Sequence, residues 1–337
     1  MRFSRDPLPF ALLLGFFLAA CGPLDESPRA VFEQLRSEFH AFYGPREQRG
    51  IDLDDLFHRH APRFEGVLDD EALFVALTEM LSEFDDGHVH LSAPGRRWWF
   101  SNRIYRERIG FDRFDRDLIE ETYLAGEYEI GKWHEYTLGR LPARGPAYLH
   151  LTRTSDNLRV LPEARALAEE AGGLILDLRH NGGGDFTWAF GELADWTDRD
   201  HPVFRSRTRN GPELGDFDPW FDWAIEGEGT PVDFPIYVLT DRFTISAGER
   251  LVMALRTFDD VTFLGEPTNG AISTMIGREL PNAWYFDLPT QEVEDALGEV
   301  WEGVGLPVDF EVINDPVEMA AGHDAVLDAA LTLWETP

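Results

Sequence analysis

One segment governs the architecture of this chain: Ile236-Tyr-Val-Leu-Thr-Asp-Arg-Phe-Thr-Ile-Ser246-Ala-Gly-Glu-Arg250. Residues 236–239 form a short β-rich run after Pro235, and from Gly248 onward apolar residues recur at helical spacing. Ser246 therefore falls at a strand-to-helix junction, beside the free backbone N–H groups of the first helical turn. A hydroxyl placed there can act as a nucleophile whose oxyanion those N–H groups bind. It can also simply cap the helix, which is the commoner role of serine at such a position.

Strands and helices alternate on both sides of this junction, which predicts an α/β fold. The pattern predicts strands over 147–152, 173–178 and 261–264, and helices over 161–171, 188–196 and 323–334. In such layered folds the active groups lie at the carboxyl ends of the strands. We therefore expect the functional site at that edge of a buried sheet.

The α/β core is predicted to span residues 147–337, and four shorter units precede it. Apolar residues on one face of three helical segments predict a helical bundle over 29–92. Many charges and a short alternating region predict a small β-rich insert over 93–146. The first two units are a leader over 1–21 and a polar linker over 22–28.

The leader has the pattern of a lipoprotein signal peptide. Arg2 and Arg5 precede an apolar run over 10–18, which is too short to span a bilayer, and Leu18-Ala-Ala-Cys21 follows it. This tetrapeptide resembles the bacterial lipobox, whose cysteine is acylated and becomes the new N-terminus. An ordinary signal peptide with a chance cysteine is the alternative. Gly22 after the cysteine favours the outer membrane, by similarity to lipoprotein sorting, so we expect a protein anchored on the periplasmic face.

The composition limits the partners of the protein. Lys and Arg total 30 against 62 Asp and Glu, a net charge of −32, which makes nucleic acid an unfavourable partner. Cys21 is the only cysteine, so the mature chain has no internal disulfide. Lys132 is the only lysine, which nearly excludes a mechanism with a lysine base.

A second motif, Arg179-His-Asn-Gly-Gly-Gly184, follows the buried strand over 173–178. Adjacent glycines let the backbone approach a substrate closely and direct consecutive N–H groups into one concavity. The motif can form half of an oxyanion hole, or it can be a tight strand-to-helix turn. A nucleotide-phosphate loop is disfavoured because the Gly-Lys-Ser/Thr ending is missing. His180 in this motif is interpreted as either a loop residue or a support for the site.

Four blocks in order resemble the tail-specific (C-terminal processing) and tricorn-type serine peptidases. They are Leu176-Asp-Leu-Arg-His-Asn-Gly-Gly-Gly184, Leu239-Thr-Asp-Arg-Phe-Thr-Ile-Ser-Ala-Gly-Glu249, Leu264-Gly-Glu-Pro-Thr-Asn-Gly270 and Gly322-His-Asp-Ala-Val-Leu-Asp-Ala-Ala330. The resemblance covers 70–92 and 147–334. It implies a crotonase-like or ClpP-like β/α spiral core with Ser246 as nucleophile. It also implies an oxyanion hole made by the N–H of Ala247 and that of a glycine among 182–184, with Gly183 and Gly184 preferred.

The resemblance also implies how the serine is activated. In the tail-specific branch a lysine just past the Gly-Glu-x-Thr-x-Gly loop is the base, but that position is Ala271 here. In the tricorn-like branch a histidine at the end of the helical unit takes the proton and a glutamate near the C-terminus orients it. The matching residues are His88 and Glu302. Serine needs such a hydrogen-bonded base, held in the right tautomer by a third group.

Two departures from the family pattern affect these assignments. The tricorn-type site has a serine directly before the histidine, where this chain has Gly87, so the link from His88 to Glu302 is either direct or made by water. Asp85 and Asp86 are rival orienting groups. The insert is also too short for the PDZ domain of the tail-specific proteases, and it lacks a carboxylate-binding loop.

Metal binding is the main alternative use of the histidines. His88 and His90 share a face, and with Asp85, or with His58 and His60, they can be combined into a ligand set. No third ligand has convincing spacing, so we expect no metal and no cofactor.

These observations predict a lipid-anchored serine peptidase of the cell envelope that acts on peptides or loosely folded polypeptide. Its oxyanion hole would use Ala247 with Gly183 or Gly184. A non-catalytic protein that binds a peptide or an apolar ligand on the same fold is the alternative, since a fold alone does not establish hydrolysis. A metal-dependent hydrolase is a third interpretation. The sequence does not indicate an oligomeric state.

Overall fold

The computed structural model of the protein describes residues 25–95, 98–142 and 144–335. The predicted signal peptide, Cys21 and residues 22–24 of the predicted linker lie outside this range. Within it, no helix is both long enough and apolar enough to cross a membrane. The helices are α1 Pro28–Phe42, α2 Leu53–His60, α3 Asp70–Leu81, α4 Arg103–Glu107, α5 Arg116–Leu118, α6 Leu161–Ala171, α7 Phe186–Ala194, α8 Ala247–Leu255, α9 Pro316–Ala320 and α10 Ala325–Glu335.

The strands form three sheets among the described residues. They are β1 His90–Ser92, β2 Trp99–Phe100, β3 Tyr128–Ile130, β4 Tyr136–Arg140, β5 Ala147–Leu151, β6 Leu174–Asp177, β7 His201–Thr208, β8 Phe221–Ile225, β9 Ile236–Thr240, β10 Val261–Gly265, β11 Met275–Glu279, β12 Tyr285–Pro289, β13 Gln291–Asp295 and β14 Phe310–Glu311.

The largest sheet has the order β14-β10-β9-β6-β5-β4-β3. The strands from β14 to β5 are parallel, and β4 and β3 are antiparallel additions at one edge. β5, β6 and β9 are buried along their whole length, as expected for parallel strands covered on both faces. β6 pairs with β9, so the glycine-rich turn and Ser246 lie at neighbouring strand ends. The predicted α/β class is confirmed.

Helices cover both faces of this sheet. The alternation of side chains along each strand shows which helices pack on which face. Leu174 and Leu176 belong to the core that includes α6, α7 and α8. Ile175 points to the opposite face, where it packs in the core that includes α10. This period of two is the normal consequence of strand geometry. The boundaries of α6 agree with the predicted helix, and α7 begins two residues before its predicted start because Asp185 caps it.

The N-terminal helical unit predicted over 29–92 is present but does not have a core of its own. Its apolar residues pack together with Leu280, Trp284, Phe286 and Leu288, which lie on or beside the β11–β12 hairpin. β1 pairs with β12 in a four-stranded antiparallel sheet of order β11-β12-β1-β2. The end of the helical unit is therefore fixed to a hairpin that follows the nucleophile in sequence.

The insert predicted over 93–146 is not simply β-rich. It contains α4, α5 and a π-helical turn over Ile119–Tyr123, and its strands β3 and β4 extend the main sheet. Asn102 and Asp115 accept backbone hydrogen bonds at the starts of α4 and α5. Such caps stabilise short helices that have no buried face of their own, which is why the hydrophobic pattern did not indicate them.

The stretch 207–229 contains β8, which pairs with β7 in a sheet of order β13-β7-β8. Only Ile225 of β8 is buried. An edge strand with so little burial lacks the alternation by which strands are recognised in a sequence.

A buried arginine fastens the glycine-rich turn to α10. Arg179 donates to Asp177 at the end of β6 and, through Nη1, to both oxygens of Asp324 at 2.9 and 2.8 Å. Its side chain is almost fully buried, as are both carboxylates. Tyr148 also donates to Asp177, at 2.8 Å.

We predict that Arg179→Met lowers the free energy of unfolding by about 3–5 kcal/mol, because it leaves two buried carboxylates without their cation. Urea unfolding measures this loss. Arg59→Met is the matched control: Arg59 also contacts two carboxylates, Asp55 and Glu83, but all three side chains are exposed. Its cost should stay below about 1 kcal/mol. Equal costs for the two variants would contradict the assigned role of burial.

Candidate active site

Ser246 occupies the strained junction between β9 and α8. It is the residue before α8, and its backbone has φ 62° and ψ −123°. An ordinary N-cap residue has extended backbone angles, whereas positive φ costs energy in a non-glycine residue. Strain of this kind persists only where the surroundings impose it, and it clusters at functional sites. The geometry therefore sets Ser246 apart from a plain helix cap.

Glu249 holds this junction in place by accepting hydrogen bonds from its backbone. Its carboxylate accepts hydrogen bonds from the N–H of Ser246 at 3.1 Å and of Ala271 at 3.0 Å. It also accepts from the N–H of Gly270 at 2.7 Å and the hydroxyl of Thr268 at 2.6 Å. Complete burial raises the pKa of Glu249 to about 7, against the opposing effect of these donors. The bond to Ser246 is the one that a capping-box glutamate three residues after the cap makes.

The glycine-rich turn lies directly against Ser246. A Cβ atom on Gly183 would come within 3.1 Å of Ser246 Oγ, and Gly183 also has φ 75°. The N–H of Gly183 is already donated to Asn181 Oδ1 at 3.0 Å. Within the part of the chain that the structure describes, the N–H groups of Gly184 and Ala247 have no acceptor. Gly184 and Ala247 are thus the two groups free to bind an oxyanion.

His88 lies in the tight turn between α3 and β1 and is 3% exposed. The residue before it, Gly87, packs on the residue before Ser246: a Cβ on Gly87 would lie 2.6 Å from Ile245 Cδ1 and 2.9 Å from Ala271 Cβ. Burial lowers the pKa of His88 to about 3, although Asp86 opposes this shift. The imidazole is therefore neutral at physiological pH, as a proton acceptor must be.

The close packing of Gly87 also explains a departure from the family pattern. Besides Ile245 and Ala271, Asn269 Oδ1 lies 2.8 Å from the position of an added Cβ. At such distances the neighbours must shift, and the Cβ of Ala271 can move only with its backbone, so a serine at this position would displace the loop beside Ser246.

Glu302 is buried and its carboxylate is fully engaged. One oxygen accepts from Arg49 Nε at 2.9 Å and Nη2 at 2.7 Å, and the other accepts from the N–H groups of Ile272 and Ser273 at 2.9 and 3.0 Å. Burial raises the pKa of Glu302, and Arg49 opposes this. Nδ1 of His88 has no hydrogen-bond partner among the described residues. Glu302 therefore makes no direct hydrogen bond with Nδ1 of the imidazole.

Arg49 is the residue that sequence reasoning missed. Its guanidinium joins Glu302 to Asp86, with Nε 3.1 Å from Asp86 Oδ2, and it also donates to the carbonyl of Gly270 at 2.5 Å. Tyr43 donates to the same Asp86 oxygen at 2.9 Å. Arg49 lies in the turn before α2, where no sequence pattern distinguishes it.

The two rival orienting aspartates differ in what they contact. Asp86 is fully buried and its other oxygen accepts the backbone N–H of His88 at 2.8 Å. Asp85 instead accepts the backbone N–H of Arg103 at 2.6 Å. Asp86 is thus the carboxylate that fixes the turn of His88, although it does so through the backbone.

Two of the histidines proposed as metal ligands, His90 and His60, have other partners. His90 Nδ1 lies 3.1 Å from Asp287 and its Nε2 lies 2.7 Å from the carbonyl of Gly87. His60 pairs with Glu83 in the helical unit at 2.6 Å. Across 25–95, 98–142 and 144–335, no group of three or more His, Cys, Asp or Glu side chains is placed to hold a metal ion.

Known proteins are similar to this chain in sequence profile and in fold. The sequence profile of peptidase family S41 matches residues 146–312. A candidate peptidase from Parabacteroides merdae has a crystal structure with a TM-score of 0.81 and 25% identity, over 92% of this chain and 97% of that one.

Two more distant structures have the same fold. The photosystem II D1 C-terminal processing protease has a TM-score of 0.50 and 15% identity, over 90% of this chain and 99% of its own. A lipoprotein from Streptococcus agalactiae has a TM-score of 0.55 and 14% identity, over 93% and 98%.

The fold, the strained serine and the matching profile define a serine-type peptidase. Residues 146–312, which form most of the α/β core, belong to peptidase family S41. The family resemblance seen in the four sequence blocks is therefore confirmed.

Proposed function

We propose that the protein is a lipid-anchored serine peptidase of the cell envelope in which Ser246, His88 and Glu302 act together. The observation that carries the proposal is the strained backbone of Ser246 with the glycine-rich turn packed against it. Within the described chain, the N–H groups of Ala247, next to the serine, and of Gly184, in that turn, have no acceptor. The packing of Gly87 on Ile245 supports the role of His88, since it brings the turn of the imidazole to the serine.

In this mechanism the Oγ of Ser246 attacks the carbonyl carbon of the scissile bond while the neutral imidazole of His88 takes its proton. The N–H groups of Ala247 and Gly184 stabilise the negative charge that forms on the carbonyl oxygen. His88 then donates the proton to the leaving amine. Water hydrolyses the acyl-enzyme by the same sequence of steps, and Ser246 is regenerated. Gly183 supports the shape of the turn but its own N–H is satisfied by Asn181.

Glu302 acts in this proposal as a positioning residue. Its ion pair with Arg49 links it to Asp86, and Asp86 accepts the backbone N–H of His88. In this proposal the Glu302 carboxylate positions the imidazole in one of two ways. It acts through Arg49 and Asp86, or through a water molecule bound at the unpartnered Nδ1 of His88.

Peptides or loosely folded polypeptide are the proposed substrates, because a site at the carboxyl edge of a sheet accepts an extended chain. The strong negative charge disfavours nucleic acid. We propose no cofactor.

The anchor is proposed on Cys21, in the lipobox-like sequence that ends the leader. The similar Streptococcus agalactiae structure is a lipoprotein, which supports this part of the proposal. α1 begins at Pro28, so the seven residues from Cys21 reach at most about 25 Å when fully extended. The folded peptidase would then lie close to the membrane surface.

We predict that a fluorophosphonate probe labels the wild-type protein and that Ser246→Ala abolishes labelling. His88→Ala should slow labelling and peptide hydrolysis by about 100-fold or more, the usual contribution of a general base. Glu302→Gln and Arg49→Met should slow both reactions less, because these residues only position the base. The control is Ser27→Ala, which removes an ordinary helix cap at the start of α1 and should leave the labelling rate unchanged. An unlabelled wild type, under conditions where other serine hydrolases react, would favour the non-catalytic binding protein.

We predict that the acid limb of the pH profile of kcat/KM lies well below pH 6.5, because burial lowers the pKa of His88 to about 3. Activity falls only when the imidazole is protonated, since the protonated ring cannot accept the serine proton. His150 and His180 are also kept neutral by burial, with pKa values of about 4. As the pH falls below 6.5, these three histidines bind protons in the unfolded chain but not in the folded one, which lowers stability. Glu249, with its pKa raised to about 7, acts in the opposite sense. Circular dichroism measured at each pH distinguishes loss of activity by unfolding from loss by protonation of His88. An acid limb of kcat/KM at pH 6.5 or above, in protein that is still folded, would contradict the prediction.

We predict that Cys21→Ser moves the protein from the membrane fraction to the soluble fraction, since it removes the only site for a thioether-linked lipid. Incorporation of radiolabelled palmitate, measured in parallel, should be lost. Membrane retention of the variant after a carbonate wash would contradict lipid anchoring at this residue.

A further inference from the structure

A cavity of about 560 Å³ lies at the carboxyl edge of the main sheet, between the insert and α9. Its walls include Phe111, Phe114, His150, Thr152, His180 and Met319. His150 and His180 come from the ends of β5 and β6, while the phenylalanines come from the insert. A cavity of this size accommodates a long amino-acid side chain.

Two short segments connect the wall of the cavity to Ser246, the proposed nucleophile. The ring of His180 packs on Phe243 at 4.8 Å between centroids, and Phe243 precedes Ser246 by three residues. His180 also begins the turn that brings Gly183 against Ser246 Oγ. A chain bound across Ser246 therefore passes this cavity.

His150 presents an unused hydrogen-bond acceptor in the wall of the cavity. Its Nε2 lies 3.0 Å from the carbonyl of Arg179, so Nε2 carries the hydrogen and Nδ1 carries a lone pair. The side chain is 1% exposed, and Nδ1 has no partner in the described part of the chain. Burial lowers the pKa of His150 to about 4, so the ring stays neutral. An unpaired buried acceptor is costly, and a ligand that donates a hydrogen bond would satisfy it.

The charges around the cavity favour a positively charged donor. Three carboxylates line it, those of Asp112, Asp115 and Asp117, and all three residues are exposed at its mouth. One arginine, Arg116, also lines it, and its Nε lies 3.8 Å from Glu120, which offsets its charge. Arg108, which lies over Phe111, adds a second positive charge, so three carboxylates face two arginines and the mouth remains negative.

The aromatic walls fit the same class of ligand. Arginines of this chain already lie over both rings, and Phe111 also stacks on His180, so the rings offer a ligand apolar surface and ring edges instead of a free cation-binding face. The guanidinium of Arg108 lies over Phe111 at 3.3 Å and that of Arg179 lies over Phe114 at 4.8 Å. The rings also cover the aliphatic part of a long basic side chain.

We propose that this cavity is a substrate subsite that binds the basic side chain of a lysine or arginine close to the scissile bond. The proposal rests on the proposed peptidase function, and it adds the class of substrate side chain that the site selects. The aspartates attract the cation, and the donor group reaches Nδ1 of His150.

The test compares cleavage of internally quenched peptides that carry Arg, Lys, Met or Glu at each position around one cleaved bond. At one position we expect Arg or Lys to raise kcat/KM over Met by about tenfold or more, equivalent to about 1.4 kcal/mol. Glu should be the poorest residue there. The effect should persist in peptides with an acetylated N-terminus, which excludes recognition of a free amine.

Two variants link this preference to the cavity. Asp112→Lys combined with Asp117→Lys should remove the preference for basic residues and raise the relative rate with Glu. Glu169→Lys combined with Glu170→Lys is the matched control, because it changes the same amount of charge on exposed residues at the opposite end of β6. His150→Phe, which removes the acceptor, should reduce the preference mainly through KM.

Labelling distinguishes the failure of this proposal from the failure of the proposed function. Normal labelling without a basic preference at any position would overturn the subsite alone, as would a preference that the double aspartate variant leaves unchanged. A preference abolished by acetylation would assign the cavity to a free amine instead. A wild type that neither reacts with the probe nor cleaves any peptide would overturn both proposals.

Discussion

The buried guanidinium of Arg49 joins parts of the chain that are far apart in sequence. It pairs with Asp86 in the turn of His88 and with Glu302 near the C-terminus, and it donates to the carbonyl of Gly270. Removing one partner of such a cluster would leave an uncompensated charge in the interior. The helical unit, the loop beside the nucleophile and the closing segment are therefore held in one arrangement, and the geometry of the candidate site depends on it.

A chain of hydrogen bonds and close contacts connects the Arg49 cluster to Ser246. Glu249 binds the N–H groups of Ser246, Gly270 and Ala271, so one carboxylate connects the strained junction to the loop that Arg49 also contacts. Gly87 fits against the same loop without space for a side chain. The cost of holding Ser246 at a positive φ is thus borne by a dense set of contacts, as expected where strain serves function.

The local parts of this site could be predicted from the sequence because they rest on local patterns. The β-rich run and the helical periodicity indicated that Ser246 lies at a strand-to-helix junction, and the adjacent glycines indicated the turn that packs against it. Arg49 could not be found, since its partner Glu302 is 253 residues away and ion pairs leave no periodic signal. The choice between Gly183 and Gly184 likewise depends on a side chain, that of Asn181, whose direction only the fold reveals. The exposed strand β8 and the capped helices of the insert lacked the burial on which pattern reading depends.

The pairing of β1 with β12 sets an order of events during biosynthesis. His90, two residues after the proposed base, lies beside Asp287, a partner 197 residues later in the chain. Contacts of such long range form late, because the intervening chain must first be ordered. A chain synthesised N-terminus first cannot form the β1–β12 pair until residues 285–289 have been made. The turn that carries His88 therefore reaches its final position only after the segment that contains Ser246 is already complete.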